Sequence, residues 1–128
     1  MVILYDRFNM SDDIYGVVFS TDQQRLVAKL LIKELKDKGG QMGKTEMSLF
    51  ATTLHEGEYL TTLDDSPYKG KKVKISYNKR QFYDRILTPM KGMGLIEYNL
   101  YTKKYSLSEN FNKDMMRIGL MWLRELKK

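Results

Sequence analysis

Phe82-Tyr83-Asp84-Arg85-Ile86-Leu87-Thr88-Pro89-Met90-Lys91-Gly92-Met93-Gly94-Leu95-Ile96-Glu97-Tyr98 carries the chain from a helix into a hairpin. Phe82, Ile86 and Met90 recur at helical spacing and form an inner stripe, with Tyr83 and Leu87 at its flank. Ser76 can cap this third helix of the chain. Pro89 either kinks its last turn or ends it near Thr88, and Gly92 and Gly94 close the segment. Leu95 to Leu100 then reads as a strand. Lys104 to Leu107 reads as its antiparallel partner, with Tyr101-Thr102-Lys103 as the tip.

Upstream, two more helices are expected. Ser20 and Thr21 offer caps for the first, and Gln23 stands three residues after Ser20 in capping-box spacing. Leu26, Val27, Leu30, Leu31 and Leu35 make its stripe, and Gly39-Gly40 ends it, which places it at about 21–38. Thr45 can cap the second. Its stripe is Met47, Phe50, Ala51 and Leu54, and Gly57 is its stop. Residues 56–74 form a long connection, a kind usually functional or mobile in a compact domain. Val2–Tyr5 and Ile14–Phe19 read as two short β-rich pieces, or else as an irregular N-terminal arm over 1–20.

Downstream, Ser108 caps a last helix to about Lys127. Its apolar residues fall on two stripes. One is Phe111, Met115, Ile118, Trp122 and Leu126, and the other is Met116, Leu120 and Leu123. A helix packed only on its own domain needs one stripe. The first is expected to pack on the domain, which leaves Met116, Leu120 and Leu123 as candidate dimerisation residues. The alternative is that Ile14, Val17 and Phe19 of the arm cover the second stripe within one chain.

Composition narrows the chemistry. The chain has 128 residues, a length that suits one domain with its own core. It has no Cys and one His, which excludes disulfides, thiolate metal sites and Cys nucleophiles, and rules out a His-rich metal site. No plausible catalytic partners surround His55, whose expected role is a charge interaction with the end of its helix. Asp12-Asp13 and Asp64-Asp65 are pairs in turns, where local hydrogen bonding is the common role. Gly39-Gly40-Gln41-Met42-Gly43-Lys44-Thr45 superficially suggests a phosphate loop. Lys38 stands where the first glycine is needed, and a helix precedes it instead of a strand. The expectation is a non-enzyme with no metal and no cofactor. No apolar run approaches the roughly 20 residues of a membrane helix, and the first residues lack the pattern of a signal peptide. A soluble, cytoplasmic protein without a membrane partner is expected.

The charge is uneven. Residues 1–64 carry a net of −3 and residues 65–128 a net of +9. Between Lys69 and Lys91 stand eight basic residues and one acid, Asp84. Such a concentration attracts polyanions, although a solvated lysine-rich loop has the same composition. Stepping about 100° per residue puts Phe82, Ile86 and Met90 on one side of the third helix. Asn78, Gln81, Asp84, Arg85 and Thr88 fall on or beside the other. Asn, Gln and Arg can make bidentate contacts to adenine and guanine edges in the major groove. Lys79 and Arg80, with Lys71, Lys72 and Lys74 before them, suit phosphates, and Lys103 and Lys104 suit phosphate or minor-groove contact. An ordinary solvated helix is the plain alternative.

Leu87, Gly94-Leu95-Ile96, Glu97-Tyr98, Lys103-Lys104 and Tyr105-Ser106-Leu107-Ser108 resemble the recognition helix and first wing of winged-helix transcription regulators. The resemblance covers about residues 21–108. It implies an α+β, mostly helical winged helix-turn-helix with an N-terminal arm and a long C-terminal helix, divided as 1–20, 21–108 and 109–128. It implies a homodimeric regulator that binds double-stranded DNA through the third helix, with the hairpin as wing. Winged helices also serve as protein-interaction modules and replication accessory factors, so those functions stay open. The long connection before the third helix and Pro89 within it depart from the family pattern.

Overall fold

The computed structural model describes residues 5–62 and 72–128. It is an α+β fold, mostly helical, with a small antiparallel sheet. A short helix α1 (Ile14–Val18) leads into α2 (Asp22–Asp37), β1 (Gln41–Gly43) and α3 (Lys44–His55). Strands β2 (Tyr59–Thr62) and β3 (Lys72–Ile75) pair antiparallel, Tyr59 opposite Ile75. The third long helix is composite. It comprises α4 (Lys79–Phe82), a π-helical turn (Tyr83–Leu87) and α5 (Thr88–Gly92). Strands β4 (Ile96–Asn99) and β5 (Lys104–Leu107) follow, then α6 (Asn110–Leu126). Among the described residues, no helix is long and apolar enough to cross a membrane.

The helix α2 lies where its stripe places it. The Thr21 hydroxyl accepts the amide of Gln24 at 3.1 Å, so Thr21 rather than Ser20 is the cap. Gly39 and Gly40 take positive φ and turn the chain directly into β1. That strand has three residues, too few for a visible alternation. It adds to the edge of the hairpin, Gln41 opposite Ser106 and Met42 opposite Tyr105, which gives the sheet order β1-β5-β4. Gly43, not Thr45, caps α3, and the Glu46 carboxylate reaches back to accept the Gly43 amide at 3.1 Å.

The core lies between α2, α3, the composite helix and the inner face of the sheet. Leu31 and Leu35, Met47 and Leu54, Phe82 and Ile86, and Met42 and Ile96 are all fully buried there. Phe50 meets Phe82 at 5.5 Å between ring centroids and Tyr59 at 5.1 Å.

Four expectations are corrected. Ile14–Val18 is helix, not strand: the Asp13 carboxylate accepts the Gly16 amide at 3.0 Å, and Tyr15, Val18 and Phe19 pack on the core. That packing outweighs the strand preference of the β-branched residues. The 56–74 connection contains the β2–β3 pair. The third helix does not stop near Thr88. The Thr88 amide bonds to the Tyr83 carbonyl, five residues back, so the helix widens just before Pro89. In a regular α-helix the Pro89 ring would press on the carbonyl four residues earlier and leave it unpaired. The wider turn lets the helix run on to Gly92, and it turns Leu87 from the flank into the core.

The fourth correction concerns α6. Its first stripe does not pack on the domain. Ile118, Trp122 and Leu126 are as open as Met116, Leu120 and Leu123 of the second, and no residue of α6 is buried. Only Phe111 and Met115 are partly covered. The arm does not cover α6 either: Phe19 is in the core, and Ile14 and Val18 line a groove between α1 and α2.

Candidate nucleic-acid interface

Two surfaces converge where the sequence places its basic residues: the outer face of the composite helix and the tip of the β4–β5 hairpin. Asn78 caps α4, its side-chain oxygen accepting the Gln81 amide at 3.0 Å. Arg80, Gln81, Asp84, Arg85, Thr88 and Lys91 are exposed along the helix. The Arg80 guanidinium stands 3.7 Å from the Asp84 carboxylate one turn on. Arg85 faces the Tyr77 phenol. Burial holds that phenol above its ordinary range, and the Arg85 charge works against the rise. Lys91 lies over the rings of Tyr98 and Tyr105, at 5.9 and 5.8 Å from their centroids. It is thereby fixed where helix and hairpin meet, a placement that periodicity alone did not mark.

Lys79 behaves differently from the rest of this group. Its ammonium donates to the hydroxyls of Ser48, at 3.3 Å, and Thr52, at 2.9 Å. Its backbone amide donates to Nδ1 of His55 at 3.0 Å. The residue is half-buried and ties α4 to α3. His55 therefore acts as an acceptor for the next helix, not as a cation at the end of its own.

The hairpin tip is a bonded turn. The Asn99 side-chain oxygen accepts the amides of Tyr101, at 2.8 Å, and Thr102, at 3.1 Å. Lys103 takes a left-handed φ of 55°, and its carbonyl accepts the Lys44 amide at 3.2 Å. This joins the tip to the start of α3 and brings Lys44 beside Lys103 and Lys104. Glu46 sits in this cluster. The Gly43 amide first, then Lys38, with a smaller share from Lys104, hold its carboxyl below the ordinary range. The outer face of α3 adds an open groove lined by Lys44, Thr45, Ser48, Leu49 and Thr52. Lys44, Ser48 and Thr52 had no signal in the sequence beyond their polarity.

Of the lysines before the helix, Lys71 lies outside the described residues, as does the side chain of Lys72 on β3. Lys74 is exposed, with Glu58 at 3.8 Å. Among the described residues, no group of three or more His, Cys, Asp or Glu side chains could hold a metal ion. Comparison with protein-family models, curated proteins and solved structures finds no match to this chain.

Proposed function

We propose that this chain is a winged-helix protein that binds double-stranded DNA sequence-specifically, as a transcriptional regulator in the cytoplasm. The composite helix Lys79–Gly92 enters the major groove, and the β4–β5 hairpin flanks it as a wing. The observation that carries the reading is one continuous surface. Arg80, Gln81, Arg85, Thr88 and Lys91 point outward from a helix that runs straight into a hairpin with Lys103 and Lys104 at its tip. Arg85 and Gln81 can read base edges, while Arg80, Lys91, Lys44 and the hairpin lysines neutralise phosphates. The order helix, short strand, helix, helix, hairpin, with β1 completing the hairpin sheet, supports the same reading. The β2–β3 pair is an insertion between the second and third helices of that plan, and it delivers Lys74 to the start of the reading helix.

The protein works as a homodimer paired through Met116, Leu120 and Leu123 of α6. These side chains stand open on a helix that leaves the domain. A two-fold pair presents two reading helices to a palindromic site, with half-sites about 34 Å apart. Selection of bound duplexes from a random pool tests the whole reading. Enrichment of an inverted repeat is expected. A pool that stays random, with binding no stronger to duplex DNA than to a neutral competitor, overturns it.

A further inference from the structure

We infer that Trp122 of one copy seats in the apolar groove at the base of α6 in a second copy. The inference rests on the dimer reading and adds a second, reciprocal contact to it.

The groove is a half-enclosed space of about 180 Å³. Ile14, Tyr15 and Val18 of α1 form one wall, Ile32 of α2 the floor, and Met90 of α5 with Leu107 of β5 the other wall. An apolar cavity of about 150 Å³ accepts a benzene molecule, so this space suits one large aromatic ring. Trp122 is such a ring, and it is 63% exposed.

Pairing through Met116, Leu120 and Leu123 leaves the other stripe bare. Trp122 and Met116 stand about 120° apart around the helix, so one flat helix–helix contact cannot cover both. Seven large apolar side chains of α6 are 44–69% exposed, from Leu123 to Met116. A contiguous apolar surface of this kind marks an interface.

The groove and the stripe belong to one chain but cannot meet within it. The Phe111 amide bonds to the Gly94 carbonyl at 3.1 Å and the Asn110 amide to the Ser108 hydroxyl at 3.1 Å. Gly94 has φ +79°, and a Cβ there would stand 3.0 Å from the Phe111 nitrogen. The first turn of α6 is thus locked against the hairpin base. Trp122 then lies about 16 Å further along the helix axis, while Ser108 and Leu107 at the base line the groove. A second copy removes the mismatch. In an antiparallel pair of α6 helices crossing at Met116, Trp122 of one copy lies level with Asn110 of the other, beside the groove. Two-fold symmetry makes the contact reciprocal, so both grooves and both rings are used and the assembly closes. Met90 is a groove wall and also part of the reading helix, so docking braces that helix from its inner side.

Trp122 is the sole tryptophan, and its fluorescence in the full chain reports this contact alone. At micromolar concentration, light scattering should give a dimer, with Trp122 emission blue-shifted and shielded from acrylamide. Dilution to monomer should red-shift the emission and restore quenching. Ile14→Glu, at the exposed rim of the groove, should do the same several-fold at the original concentration, with helical circular dichroism unchanged. Ile14→Ser is the milder variant if the charge prevents folding. A dimer whose Trp122 emits as in water overturns the docking and leaves the α6 pairing intact. A monomer at every concentration overturns both. A shielded Trp122 in a folded Ile14→Glu or Ile14→Ser dimer puts the ring elsewhere and overturns the assignment to this groove.

Discussion

Nδ1 of His55 accepts the backbone N–H of Lys79 at 3.0 Å, so the last residue of α3 caps the first residue of α4. The first four amides of a helix have no partner within it. Here Asn78 takes that of Gln81 and His55 takes that of Lys79. The Lys79 ammonium, bonded to Ser48 and Thr52, closes the junction from the other side. The pitch of the candidate reading helix against α3 is therefore fixed by three polar contacts on one residue.

His55→Ala should destabilise the fold by about 1 kcal/mol, the usual cost of a lost N-terminal cap. Urea denaturation followed by circular dichroism measures it. DNA affinity should fall with it, because the start of the helix loses its fixed position. An unchanged midpoint would show that the Lys79 amide is equally well served by water.

Glu46 gives the pH prediction. Its folded-state pKa lies below the ordinary 4.5, chiefly because the Gly43 amide and then Lys38 favour the carboxylate. A depressed pKa contributes stability that is present above the unfolded value and is lost as pH falls through the folded one. Glu46→Gln should thus be less stable than the parent at pH 7. The gap should close as pH drops below 4.5. A gap that persists unchanged in acid would assign the effect to side-chain shape instead of charge.

The residues explain what was legible. Leu26 to Leu35 gave α2 because a long stripe between a cap and two glycines has one helical solution. The β4–β5 hairpin was legible for the same kind of reason, since Gly94 and the tip residues bound two short strands. The three residues of β1 carry no alternation of their own and become a strand only because β5 lies beside them. Ile14–Phe19 misled because its composition favours strand, while one hydrogen bond from Asp13 and the underlying α2 decide otherwise. The π turn was invisible to a fixed angular step, so Leu87 was assigned to the flank. In the candidate site, the outward face of Gln81 and Arg85 followed from periodicity. The ties of Lys79 to Ser48, Thr52 and His55 did not, because they join residues 24 or more positions apart.

Replacing Lys71, Lys72 and Lys74 by Ala should weaken binding to all duplexes alike. Each phosphate contact contributes about 0.9 to the slope of log affinity against log salt, so the slope should flatten by up to about 3. Titrations at several salt concentrations on specific and random duplexes measure it. Lys74 gives up its Glu58 neighbour in the complex, so its own share should be the smallest. An unaltered slope would remove these lysines from the interface.

Arg85→Ala should cost about 1–3 kcal/mol on the selected site and relax the preference at one base position. Arg85 is exposed, and the Asp84 carboxylate beside it is engaged by Arg80 instead. Its guanidinium is therefore free to make a two-pronged contact. An equal loss on random DNA would make Arg85 a phosphate contact, and the reading of base edges would pass to Gln81 and Thr88.

Leu120→Glu with Leu123→Glu should convert the protein to a monomer. Leu120 is 50% and Leu123 44% exposed, so neither change disturbs a packed core and the fold should survive. In a two-fold pair each side chain meets its counterpart's stripe, so four carboxylates would be brought together on one apolar seam. Burying even one unpaired charge there costs far more than an exposed leucine returns to water. Light scattering should give twice 15.1 kDa for the parent and 15.1 kDa for the variant at the same micromolar concentration. On a palindromic duplex the variant should lose the cooperative second half-site yet keep the affinity of the single domain for one half. Thermal unfolding of the variant should no longer depend on protein concentration, since association no longer contributes to stability. A parent protein of 15.1 kDa, or a variant that remains twice that mass, would remove α6 from the role of dimer seam.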